Sequence, residues 1–127
     1  MNKVLLTGRL TKDIELRQTN SGKSVVQTSV AVKREFKENG EYNTDFINVV
    51  VWGASADFLK NYAKKGDLIE VVGRWQVRNY QDSQGQNRQA NECVAENVSI
   101  LAHVEPKPVV ESNNDDLPPF DANDLPF

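Results

Sequence analysis

Aromatic and basic side chains recur together at two-residue spacing in two stretches of this chain. Over 46–52 an extended backbone places Phe46, Asn48, Val50 and Trp52 on one face and Ile47, Val49 and Val51 on the other. The all-aliphatic face reads as core, which leaves the aromatic face to be explained. Over 74–80 the same period groups Arg74, Gln76, Arg78 and Tyr80 against Trp75 and Val77, so one face is polar, basic and aromatic while Trp75 is expected in the core. Phe36 stands among Lys33, Arg34 and Lys37, too surrounded by charge for a core position. Such faces suit single-stranded nucleic acid. Every base offers a π-face whose stacking is worth ~1–3 kcal/mol, and cations follow the backbone. The same residue types also pack at barrel ends and subunit contacts, so a protein-binding module stays open as an alternative. RNA stays open too, because stacking does not sense the 2′-hydroxyl.

Other chemistry finds little to work with. The chain has 1 cysteine, Cys93, and 1 histidine, His103, so neither a disulfide framework nor a Cys/His zinc cluster can form within it. Cys93 is expected to pack as a small apolar residue, and His103 has no partner visible in the sequence. Asp13 with Glu15, or Glu92 with Glu96, could be paired carboxylates, but no nucleophile, base and orienting group accompany them, and they read as solvated surface charges. The glycines Gly8, Gly53, Gly66 and Gly73 lack the clustered spacing that cradles phosphates. No enzyme, metal or cofactor is expected.

Elements that could position these faces follow from turn signals and period. Strands are expected over Val4–Leu10, Ser24–Lys33, Asp45–Trp52, Asp67–Tyr80 and Arg88–Leu101, with turns at 19–22, at Asn39-Gly40 and at 82–85. Between Ser55 and Lys65 the period becomes helical, with Ser55 as N-cap, Lys64 and Lys65 in the last turn and Gly66 ending it. Three strands, a helix and two strands is the order of the OB-fold, an all-β five-stranded barrel with one helix between strands 3 and 4. A small sandwich with one helix fits the same order.

The 127 residues suit one domain, and no run approaches the ~20 apolar residues that span a bilayer, so a cytosolic protein without membrane contact is expected. The formal charge of −3 conceals an asymmetry: residues 1–104 carry +2 and residues 105–127 carry −5. All 5 prolines lie in the latter stretch, which is expected to be a disordered acidic tail after a folded body of residues 1–104. Asp115-Asp116-Leu117-Pro118-Pro119-Phe120 is echoed by Asn123-Asp124-Leu125-Pro126-Phe127. Acid followed by Leu-Pro-Phe suits capture by a basic, hydrophobic pocket on another protein.

The opening Asn2-Lys3-Val4-Leu5-Leu6-Thr7-Gly8-Arg9-Leu10-Thr11-Lys12-Asp13 resembles that of bacterial and phage single-stranded DNA-binding proteins. So do Asp45-Phe46-Ile47-Asn48-Val49-Val50-Val51-Trp52-Gly53, Lys64-Lys65-Gly66, Gly73-Arg74, the hairpin from Arg78-Asn79-Tyr80 to Gly85-Gln86, and the tip Asp124-Leu125-Pro126-Phe127. The resemblance implies an OB barrel that assembles as a homotetramer, with Phe36, Phe46, Trp52 and Tyr80 as the stacking aromatics. It carries DNA-backbone contacts onto Lys3, Arg17, Lys65 and Arg78, to which the aromatic-basic faces add Arg34 and Arg74. It further implies sequence-independent binding and protection of single-stranded DNA in replication, recombination and repair, in the nucleoid. Enzymes of those processes would be recruited through Asp124, Leu125, Pro126 and Phe127. The family's Gly- or Gln-rich linker is missing here, and Ala122-Asn123-Asp124 is less acidic than the family's tip.

Overall fold

The computed structural model describes residues 1–104; the tail reading, with its Asp124-Leu125-Pro126-Phe127 tip, lies outside the described residues. In chain order come β1 (Val4–Leu10), β2 (Leu16–Gln18), β3 (Ser24–Glu38), β4 (Glu41–Trp52), α1 (Gly53–Tyr62), β5 (Leu68–Gln81) and β6 (Asn87–Ala102). The strands lie in the order β1-β5-β6-β4-β3-β2, and β1 also pairs with β3, which closes five of them into a barrel. This is the expected OB barrel, with its helix between the third and fourth barrel strands. β2 is additional: three residues pair with β3 outside the ring, too few to show a period in sequence.

Closure depends on two glycines. A Cβ on Gly8 would lie 2.3 Å from the Ala31 carbonyl oxygen, where β1 crosses from β5 to β3. A Cβ on Gly73 would lie 2.2 Å from the Val94 carbonyl oxygen, at a register shift between β5 and β6. Side chains there would hold the strands apart. Inside, Leu10, Val26, Val30, Val49, Val51, Ile69, Val71 and Cys93 are buried together with Ala56 and Leu59 of α1. Cys93 thus packs as the small apolar residue expected, and burial, with the Glu96 charge adding to it, pushes its thiol up.

Four expectations need correction. The strands β3 and β4 run on past the barrel to a tight turn at Asn39 (φ 53°) and Gly40 (φ 81°), a two-residue loop with both φ positive. Charge in Lys33–Asp45 hides a ribbon that its turn and cross-strand pairs hold, not burial. The helix begins at Gly53 with Trp52 as N-cap and no side-chain cap bond, so Ser55 is already inside it; it ends at Tyr62, leaving Lys64, Lys65 and Gly66 beyond. The positive φ of Gly53 (66°) lets the chain turn out of β4 before Ser55 is reached. Trp75 has the parity of Ile69 and Val71 but is 39% exposed, as is Val77 at 52%, because β5 and β6 extend past the barrel and nothing among the described residues covers that side. Finally, His103 has a partner: its Nδ1 lies 2.9 Å from Asp67 Oδ2.

Asp67 fastens the last described residues to the barrel. Its buried carboxylate accepts the Val104 and Lys64 backbone N–H groups, both at 2.9 Å, as well as facing His103. Burial alone would raise this carboxyl, but those bonds together hold it below its ordinary value.

Candidate nucleic-acid interface

Register carries one face across the whole sheet. Arg17 of β2 lies opposite Val25 of β3, which lies opposite Trp52 of β4. One row on, Gln27 faces Val50, Val50 faces Val94 of β6, and Val94 faces Arg74 of β5. Ser29 with Asn48 and Ala31 with Phe46 continue the same side of β3 and β4, while Gln76 with Glu92, Arg78 with Ala90 and Tyr80 with Arg88 continue it on β5 and β6. The period-two grouping made separately for each stretch thus merges into one surface.

Three of the four predicted stacking residues lie on it with open rings: Phe46 at 50% exposure, Trp52 at 44% and Tyr80 at 42%. Phe36 is 80% exposed and falls in the register irregularity between Lys33 and Lys37. Arg17 and Arg74 share the surface; Arg74 donates to Gln76 Oε1 at 3.4 Å, and Arg17 makes a loose ion pair with Glu15 at 3.8 Å. Lys3 stands just before β1 and pairs with Glu96. The Lys65 backbone donates to Asp13 Oδ1 at 2.9 Å, placing Lys65 in the loop after α1 rather than on the sheet. Arg34 turns to the opposite side of the ribbon, where its guanidinium binds both Asp45 oxygens (2.9–3.1 Å) and Glu38 (3.2 Å). That pair holds the Asp45 carboxyl below the usual carboxylate range.

The parallel pairing of β4 with β6 spans only Val49–Val51 and Cys93–Ala95. Past it, a groove of about 280 Å³ opens between the two ribbons, lined by Gln27, Ser29 and Asn48 on one wall and by Arg78, Ala90 and Glu92 on the other. Glu92 corrects the sequence reading: its side chain is 8% exposed and accepts from Arg78 Nε at 3.1 Å. Arg78 in turn lies 5.4 Å from the Tyr80 ring centroid, so Glu92, Arg78 and Tyr80 form one linked set. The sequence offered the clue only through pairing, since Glu92 becomes a face residue once β6 is registered against β5. Arg88, also missed, sits opposite Tyr80 and pairs with Asp82 at 3.0 Å.

The surface can stack bases on separated rings and meet phosphates with the guanidinium groups around them. Among the described residues no group of three or more His, Cys, Asp or Glu could hold a metal, and no helix is long and apolar enough to cross a membrane.

Comparison with known proteins gives this surface its context. The family model described as "Single-strand binding protein family" matches residues 1–101. The chain is 46% identical over its full length to single-stranded DNA-binding protein 1 of Streptococcus pyogenes serotype M18, covering 99% of that protein. It is 42% identical over its full length to the single-stranded DNA-binding protein of Streptococcus pneumoniae serotype 4, covering 90% of it. With that of Streptococcus mutans it shares 49% identity over 80% of this chain and 62% of the relative. The match takes in every barrel strand and every residue of the aromatic-basic face, and on it the chain belongs to the single-strand binding protein family.

Proposed function

We propose that this protein binds and protects single-stranded DNA without regard to sequence and without catalysing a reaction. The observation that carries the reading is the continuous face joining Phe46, Trp52 and Tyr80 to Arg17, Arg74 and Arg78. Phe36 extends the stacking set onto the ribbon. Stacking supplies sequence-tolerant grip, and Lys3, Arg17, Arg34, Lys65, Arg74 and Arg78 follow the phosphates. Arg34 contributes least of the six, because Asp45 and Glu38 offset its charge. The names of the relatives support DNA as the strand that is bound.

The protein acts in replication, recombination and repair, as a homotetramer in the cytoplasm and on the nucleoid. Leu5, Trp75 and Val77, exposed at 74%, 39% and 52%, support subunit contacts, since apolar strand residues of this size are covered when copies assemble. Residues 105–127 form an acidic tail whose Asp124-Leu125-Pro126-Phe127 tip recruits partner proteins. Gel-shift competition between circular single-stranded DNA and its linear duplex tests the binding. Preferential retention of the single strand is expected, and equal retention would refute the reading. Deleting residues 121–127 should leave that binding intact or stronger, because the tail's acids compete with phosphate for the basic face; a clear loss of DNA affinity would contradict this.

A further inference from the structure

We infer that Tyr42, with Lys33 and Lys37, forms an additional nucleotide-binding patch on the β3–β4 ribbon, its ring stacking a base and the two ammonium groups meeting the adjoining phosphates. This rests on the reading of the barrel face as a single-stranded DNA site. Parity is the first support: Phe46, Thr44 and Tyr42 lie on one side of β4, with Ala31 opposite Phe46, Lys33 opposite Thr44 and Lys37 opposite Tyr42. The face that carries Phe46, Asn48 and Trp52 therefore continues along the ribbon to Tyr42. The second support is the local charge. Lys33 Nζ lies 4.0 Å from the Tyr42 ring centroid and Lys37 Nζ lies 5.2 Å from it, and neither lysine makes an ion pair among the described residues.

The ribbon's other side has little uncompensated charge to offer. There Arg34, Asp45 and Glu38 neutralise one another, and Asn43 Nδ2 donates to Glu38 Oε2 at 3.0 Å. One side is a set of satisfied ion pairs; the other is an aromatic ring, 46% exposed, under two uncommitted cations. In the free protein the lysines shelter the ring. An exposed cation–π contact is weaker than base stacking, so an arriving nucleotide takes the ring face and gives the displaced ammoniums a phosphate instead. Because the ribbon projects past the barrel, Tyr42 engages only strands long enough to run beyond Phe46.

The test uses the full chain and labelled oligo-dT of two lengths, one that the barrel face alone accommodates and one that reaches the ribbon. Tyr42→Ala should weaken the long oligomer about fivefold or more and leave the short one unchanged, whereas Tyr42→Phe keeps the ring and the affinity. Lys33→Ala and Lys37→Ala should each lower the salt slope by roughly 0.7, the single-strand value per phosphate. A long oligomer carrying 5-iodouracil should crosslink to Tyr42. Unchanged affinity in Tyr42→Ala with no Tyr42 adduct would overturn the inference, and equal losses in Ala and Phe would assign the effect to the hydroxyl and overturn stacking. Trp52→Ala run alongside separates the two levels: if it weakens binding while Tyr42→Ala does not, only the ribbon patch fails, and if neither weakens binding, the barrel-face reading fails with it.

Discussion

Replacing Trp52 by Ala separates grip from charge. Trp52 closes β4 beside Val25, and its ring is 44% exposed on the basic face. A Trp side chain can bury up to about 250 Å², so roughly 100 Å² of ring stays open to a base. At ~25 cal/mol per Å² that surface is worth about 2.5 kcal/mol, which falls inside the ~1–3 kcal/mol expected for stacking on one base. Trp52→Ala should therefore weaken oligo-dT binding about 5- to 150-fold at every salt concentration. Since no charge is lost, the slope of log K against log [NaCl] should not change. The assay is anisotropy of a labelled oligo-dT across a salt series, with thermal unfolding in parallel, because the buried part of the ring also packs against the barrel. Unchanged affinity in a folded variant would refute the stacking role. A slope change equal to that of Arg78→Ala would refute the division between ring and charge.

Arg78→Ala should reduce that slope by roughly 0.7 and, by leaving the sequestered Glu92 carboxylate without its cation, cost roughly 1–3 kcal/mol of stability, discounted because Arg78 is half exposed. Glu92→Gln on the same background should recover most of the stability, as chemical denaturation would show; no recovery would mean that the pair is not coupled. Asp67→Asn should cost about 1–3 kcal/mol, since an amide oxygen cannot serve the Val104 and Lys64 N–H groups as a carboxylate does. Because the folded Asp67 carboxyl is depressed, its contribution is complete above the unfolded value near ~3.9 and is lost as pH falls through the lower folded value. Denaturation curves of the variant should lack that part of the acid slope, and an identical slope would contradict the assignment. Gly8→Ala should force β1 from β3 against the 2.3 Å approach to Ala31 and cost about 1–3 kcal/mol, a Tm loss on the order of 5–20 °C. A Tm within a degree or two of the parent would show that the closure yields easily.

Period two was enough to set Phe46, Trp52 and Tyr80 on one exposed face, because each lies in a strand whose opposite face is aliphatic or whose own face is visibly basic. The same rule misplaced Trp75. Parity reports which side a residue takes, but not whether the barrel reaches that far along the strand, and the projecting part of β5 leaves Trp75 uncovered. Glu92 and Tyr42 were not legible because their meaning depends on register between strands, which one strand's pattern does not contain. Charge over Lys33–Asp45 concealed a ribbon that is held by a two-residue turn and cross-strand pairs instead of burial. The clasp of Asp67 with His103 and Val104 spans 36 and 37 residues and joins two loops, beyond any local signal.

The most direct test of the central claim is a fluorescence titration with oligo-dT, the equivalent duplex and oligo-U, at low and moderate salt, following Trp52 and Trp75 emission. Strong quenching by oligo-dT with weak duplex binding is the predicted result, and it should shrink to the Trp75 contribution in Trp52→Ala. No quenching, or equal affinity for the duplex, would contradict base stacking on the barrel face and assign those aromatics to a protein contact.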